Sequence, residues 1–199
     1  MYNYPLSLVI NFVGLALVVG AYFVKSKRLY LFLQASCMLC MVVAYFFILE
    51  FFAMLSLAVA LTRTITYYMY ERSDKRAPVW LAFAFSACTL AVFIIVNIVI
   101  LKDAKPIDII CLATQILYTF IFRIRNLKLV RYLVCAPTVL GTIYNIAINA
   151  PISVLIYAFE FGANVVAMLK FQTIPYVKEY LKNKRLNEQN AVQSMRKEQ

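Results

Sequence analysis

The chain has 199 residues, of which 64% are hydrophobic and 15% charged, and its mean hydropathy is +0.78. A soluble domain carries about 25% charged residues to meet water, so these proportions exclude an ordinary soluble globule. The formal charge of +11 would suggest nucleic acid in a soluble protein; beside long apolar stretches it reads instead as the Lys and Arg excess of cytoplasmic loops.

Seven apolar segments follow one another: Leu6–Val24, Leu29–Phe51, Phe52–Tyr70, Val79–Leu101, Ile107–Phe122, Leu129–Asn149 and Pro151–Phe171, then a polar tail, Gln172–Gln199. A helix needs about 20 apolar residues to cross a bilayer, and the segment lengths fit. The first segment lacks a basic n-region and a small-residue cleavage site, so it reads as a retained helix rather than a signal peptide. In the second, Cys37-Met-Leu-Cys40 has metal-motif spacing. With no histidine in the chain and an apolar helix around it, the better account is packing by small, soft side chains. All five cysteines fall inside apolar stretches, which argues against a disulfide framework. No metal, cofactor or catalytic group is expected, and the chain does not read as an enzyme.

In the third segment, Arg63 lies about ten residues in, roughly 15 Å deep at 1.5 Å per residue. Glu160 lies at a similar depth in the seventh. An arginine at the centre of a membrane helix costs roughly 2.5–3.5 kcal/mol on insertion scales, so intramembrane charge is a functional-site hypothesis by default. The competing accounts are a structural ion pair, or an Arg63 side chain reaching out to an interface. Polar and small stripes surround these residues: Ser56, Ala60, Arg63 and Tyr67 on the third segment, and Asp108, Cys111, Gln115 and Tyr118 on the fifth. The sixth carries Pro137, Gly141, Tyr144 and Asn145, and the seventh Ser153, Tyr157, Glu160, Asn164 and Ala167. Such stripes also serve ordinary helix packing in lipid. Pro137, in mid-helix, predicts a kink and a candidate hinge.

Orientation follows from the basic residues. With the N-terminus outside, 17 of the 20 Lys and Arg fall in cytoplasmic connections and the tail. Lys102 and Lys105 fall opposite, and Arg63 lies within a helix. An odd number of spans, N-out and C-in, preserves that split.

The connections also repeat. Segments one to three (6–70) and five to seven (107–171) each read helix, basic connection, helix, very short turn, helix, displaced by about 99 residues. That register sets Tyr45 on Tyr144, Phe23 on Phe122 and the Glu50 turn on the Asn149 turn. The fourth segment, 79–101, inverts the chain so that both triplets share one orientation. The expected fold is therefore an all-α polytopic membrane protein of 3+1+3 plan, with a seven-helix domain over 1–171 and a basic cytoplasmic tail over 172–199. This plan resembles that of the SWEET and PnuC transporters, whose parallel repeats are related by an axis along the membrane normal. Fold analogy does not itself give function.

Several motifs recur in order across the membrane portion: Gln34-x-Ser36 with Phe46-Phe47, Arg63-Thr64, Pro106-x-Asp108, Leu127-x-x-x-Arg131, Asn145 and Gly162-x-Asn164. In these the chain resembles the YgjV-type family of small bacterial inner-membrane proteins. The resemblance implies an inner-membrane location. Glu160 departs from the family pattern, so a role common to the family would fall on Arg63, Asn145 and Asn164.

The functional expectation is a small-solute transporter or facilitator. Arg63, Asn145, Asn164, Glu160 and Gln115 would line a site for a solute that Arg63 favours as anionic, and Pro137 would act as hinge. The alternative is a non-transporting scaffold or regulator that uses its basic cytoplasmic face. The expected partners are the lipid bilayer and that solute, without nucleic acid; a homo-oligomer is compatible with the plan.

Overall fold

The computed structural model describes residues 4–48, 51–100, 106–147, 151–177 and 180–183. Among these there are seven α-helices: α1 (Tyr4–Phe23), α2 (Lys27–Ile48), α3 (Phe51–Arg72), α4 (Val79–Phe93), α5 (Asp108–Arg123), α6 (Leu127–Ala147) and α7 (Pro151–Met168). π-Helical stretches follow α4 at Ile94–Ile100 and α7 at Leu169–Thr173. Among the described residues, four stretches are long and apolar enough to cross a membrane: Lys27–Ala44, Val79–Ile100, Leu127–Ala147 and Val154–Asn183; Val9–Phe23 is a shorter apolar run. The central stretch of α3 is interrupted by Arg63 and its neighbouring threonines, and α5 has only 16 residues. The turns at 49–50 and 148–150, Lys102, Lys105, Lys178 and the tail from 184 lie outside the described residues, as do the side chains of Tyr45 and Ser153.

The chain divides into two compact units, Met1–Asn164 and Val165–Gln199. The second holds the end of α7, the π-helical stretch after it and helical residues at 174–177 and 180–183, with Tyr176 and Tyr180 exposed. The first, through Asn164, holds α1 to α6 and most of α7.

Its burial is reversed from that of a soluble fold. Phe12, Trp80 and Phe83 are each more than 60% exposed, whereas Arg63, Asn164, Thr64, Thr119 and Thr138 are among the largest fully buried side chains. Hydrocarbon is as apolar as leucine, so outward leucines and phenylalanines cost nothing there, and polar groups find their partners inside.

Local chemistry sets the helix boundaries. Ser26 and Asn126 occupy N-cap positions that their short polar side chains favour. Their carbonyls accept from Tyr30 N and Val130 N, each at 3.0 Å, and Asn126 Oδ1 accepts from Lys128 N at 3.0 Å. At the end of α3, Asp74 takes the left-handed conformation (φ 54°). Lys75 N donates to Tyr70 O and Asp74 N to Glu71 O, the paired bonds of a Schellman cap.

Helix breaks and buried positions coincide at a displacement of 100 residues. The breaks fall at 24–26 and 124–126, and α3 and α7 begin at 51 and 151. Positions 14, 18, 21, 22, 27, 30, 31, 34, 37, 60, 63 and 64 are buried, and so is each position 100 further on. The displacement of 99 suggested by residue identities is therefore replaced by one of 100. Identities are sparse, and a slip of one residue turns a helix face by about 100° at 3.6 residues per turn. Burial fixes a register that identity leaves loose.

Candidate functional site

In this register the charge on each third helix stands opposite an alanine in the other triplet: Arg63 matches Ala163, and Glu160 matches Ala60. The two charges also cross between triplets in reciprocal fashion. Arg63, on α3, donates through Nη1 to Gln115 O at 2.9 Å and to Thr119 Oγ1 at 2.8 Å, both on α5. Its guanidinium carbon lies 5.6 Å from the centroid of the Phe122 ring, a cation–π contact. Glu160, on α7, accepts from Tyr22 Oη, on α1, at 2.6 Å. Each third helix thus reaches the first helix of the other triplet.

Between these contacts lies a cavity of about 80 Å³. Its polar wall is Gln34, Arg63, Gln115, Tyr118 and Glu160, and Val18, Leu57 and Ile156 are among its apolar lining. Arg63 Nε and Nη2 are buried and have no hydrogen-bond partner among the described residues. Arg63 and Glu160 share this cavity, yet among the described residues no ion pair joins them; the charge of Arg63 is met by α5 instead.

Three of the expected site residues, Arg63, Gln115 and Glu160, therefore come together. Asn145 and Asn164 do not line the cavity. Asn145 Nδ2 donates to Gly141 O in its own helix at 2.7 Å. Asn164 Nδ2 donates to Arg131 O at 2.7 Å and to Cys135 Sγ at 3.3 Å, tying α7 to α6. Pro137 is buried inside α6. The phenol of Tyr118, on the cavity wall, lies 3.2 Å from Thr138 Oγ1.

Two residues carry more than the sequence suggests. Tyr22 holds Glu160, although it stands at a helix end where an aromatic interface belt is the usual reading. Arg131 sits in a basic connection yet is buried. Its Nη2 donates to Tyr22 O at 2.9 Å and to Val24 O at 2.6 Å, carbonyls at the end of α1 that lack intrahelical partners.

At the same end of the bundle lies an ionic cluster. Asp74 pairs with Arg28 at 2.6 Å and with Arg125 at 3.4 Å, and Glu71 with Lys27 at 3.4 Å and Arg125 at 3.9 Å. The cluster joins all three basic connections, and Arg123 Nε adds a bond to Ala77 O at 3.0 Å. The hydrogen bond and charge of Arg28 lower the Asp74 carboxyl below its ordinary value.

Close packing of α6 on α7 shapes the cavity. A Cβ on Gly141 would stand 2.6 Å from Tyr157 Cε1 and 2.8 Å from its Cζ, and Tyr157 also lines the cavity. Gly141→Ala is expected to displace that ring, at a cost of roughly 1–3 kcal/mol for overpacking, and so to lower the unfolding temperature. Gly162→Ala, where a Cβ meets nothing within 4 Å, is the control and should leave the unfolding temperature unchanged.

An apolar exterior and long apolar helices around buried polar side chains define a helical integral membrane protein. The chain matches the Imp-YgjV family of bacterial inner membrane proteins over residues 6–174 and belongs to that family. Comparison with curated proteins and with solved structures gave no match.

Proposed function

We propose that this protein is a small-solute transporter or facilitator, oriented N-out and C-in, in which two three-helix bundles rock about a central site. The observation that carries this reading is the reciprocal crossing of Arg63 to α5 and Glu160 to α1 around a shared cavity. A scaffold has no need of a buried guanidinium with unused donors, because each orphaned buried donor costs roughly 1–3 kcal/mol. Parallel repeats about an axis near the membrane normal suit such rocking, and the coincidence of buried positions at 100 residues supports that relation. The ionic cluster of Asp74 and Glu71 joins connections from both bundles at one end, where it would hold that end closed.

The test is an untargeted comparison of solute uptake between deletion and overexpression strains, followed by uptake of the solutes found into vesicles holding the purified protein. The expected result is accumulation that depends on the protein and falls to background with Arg63→Leu. Equal uptake in both strains and in empty vesicles would refute transport.

A further inference from the structure

The second unit, Val165–Gln199, carries an apolar face that its described residues leave uncovered. Ile174, Tyr176, Val177, Tyr180 and Leu181 are each at least 46% exposed. Ile174, Val177 and Leu181 stand at i, i+3 and i+7, the spacing of one helical face, and residues 174–177 and 180–183 are helical. At about 100° per residue, Tyr180 falls on the same face and Lys182 at its flank.

Length separates this face from the lipid-facing sides of the other helices. The apolar stretch Val154–Asn183 has 30 residues, about 45 Å at 1.5 Å per residue, whereas the hydrocarbon core is about 30 Å thick. Tilt alone would have to reach about 48° to hide the difference, beyond the roughly 0–40° of membrane helices. A helix counted from Pro151 instead leaves the hydrocarbon near Phe171, after about 30 Å. Lys170 suits that exit: it is exposed, with Nζ 5.6 Å from the centroid of the Phe171 ring, its stem on apolar surface and its charge free to reach a headgroup. A straight continuation would hold the apolar face in water, against the hydrophobic effect.

The backbone is loosened at the level where a turn is needed. Leu169–Thr173 is π-helical, Ile174 N donates to Leu169 O, and Pro175 has no N–H to give. Prolines and π-bulges are the places where helices bend. Beyond Pro175 the sequence turns basic, with six Lys and Arg against three Glu in 176–199. An apolar helical face flanked by lysines is the composition of a helix that lies in the membrane interface. Its apolar side meets the acyl boundary, and its cations meet anionic headgroups.

We propose that the chain turns between Leu169 and Pro175 and that the helical residues after it dock on the bilayer surface. Ile174, Val177, Tyr180 and Leu181 enter the acyl boundary, and Lys170 and Lys182 bind anionic phospholipid headgroups. The inference concerns the second unit alone and stands whether or not the chain transports a solute.

The test uses the full chain in nanodiscs of phosphatidylcholine alone, or of equal parts phosphatidylcholine and phosphatidylglycerol. Trp80 is the only tryptophan, so Trp80→Phe with Tyr180→Trp places a single fluorescent reporter on the apolar face. Contact with acyl chains is read as a blue shift of its emission and as quenching by lipids brominated in the chains. The expected result is a blue-shifted, quenched reporter in the anionic discs and a weaker effect in the neutral ones. Concentrated salt, which shortens the screening length, should bring the anionic discs toward the neutral result. Lys170→Gln with Lys182→Gln should do the same without salt, at an unchanged unfolding temperature. The comparison of lipids needs no charge variant, so it decides even if that pair lowers stability. A reporter that emits as in water and escapes quenching in both lipids overturns the docking and leaves the face to a soluble protein partner. Equal quenching in neutral and anionic discs overturns the recognition of anionic headgroups.

Discussion

Arg63→Leu is expected to abolish uptake while barely changing stability. The substitution loses two charge-assisted hydrogen bonds, at roughly 1.5–3 kcal/mol each. It also removes a buried cation that costs roughly 2.5–3.5 kcal/mol to place at a helix centre, which offsets between about half and all of that loss. Neither acceptor is left bare, because the Thr119 hydroxyl also donates to Gln115 O at 2.8 Å. A structural ion pair with Glu160 would behave otherwise: Arg63→Leu would destabilise strongly, and adding Glu160→Leu would restore stability. The geometry assigns the two charges to different partners, so the double variant should show the sum of the single effects within about 0.5 kcal/mol. Denaturation in lipid and vesicle uptake, measured on the same three variants, decide between the accounts. Recovery in the double variant would restore the ion pair and remove the site.

The largest loss of stability is expected at Arg131. Replacing it with Leu strips the end of α1 of the cation on Tyr22 O and Val24 O, where a positive charge also meets the negative end of the helix dipole. Two hydrogen bonds to a charged donor are together worth roughly 3 kcal/mol or more. At about 2–4 °C per kcal/mol for a chain of this size, the unfolding temperature should fall by roughly 6–12 °C. Arg131→Lys keeps the charge without the fork and should recover only part of this. Arg28→Leu, at the exposed ion pair, is the comparison and should change little. If Arg131→Leu unfolds with the wild type, the end of α1 needs no such cap.

Arg63, Gln115 and Glu160 were legible in the sequence because hydrocarbon makes polar residues at mid-helix costly, and costly residues point inward. Asn145 and Asn164 obey the same rule yet serve backbone carbonyls. A sequence shows that an amide lies within a span but not which acceptor it finds. Arg131 was hidden by its surroundings: among Arg123, Arg125 and Lys128 it reads as one more loop cation, and only the fold distinguishes a buried cap from a solvated charge. Tyr22 was hidden for a related reason, since an aromatic residue at a span end has an ordinary explanation. The helical class was plain from apolar length and the placement of basic residues. The register between triplets was not, because spacing tolerates a shift of one residue where a buried face does not.

The ion pairs around Asp74 have one further property. The Asp74 side chain is 71% exposed and that of its partner Arg28 46%, so dissolved salt reaches them. At physiological ionic strength the screening length is already about 8 Å, and it shortens as salt rises. The bonds of Arg63 and Glu160 lie beyond the reach of these ions. Ionic strength therefore acts on the two regions selectively: concentrated salt slackens the Asp74 end while the central contacts keep their strength. Acid acts on the same end. Because Arg28 lowers the Asp74 carboxyl, its contribution is complete above the ordinary aspartate value of about 3.9 and disappears only as pH falls through the lowered one. Brine at neutral pH, rather than mild acid, is the reagent that unfastens this end of the protein.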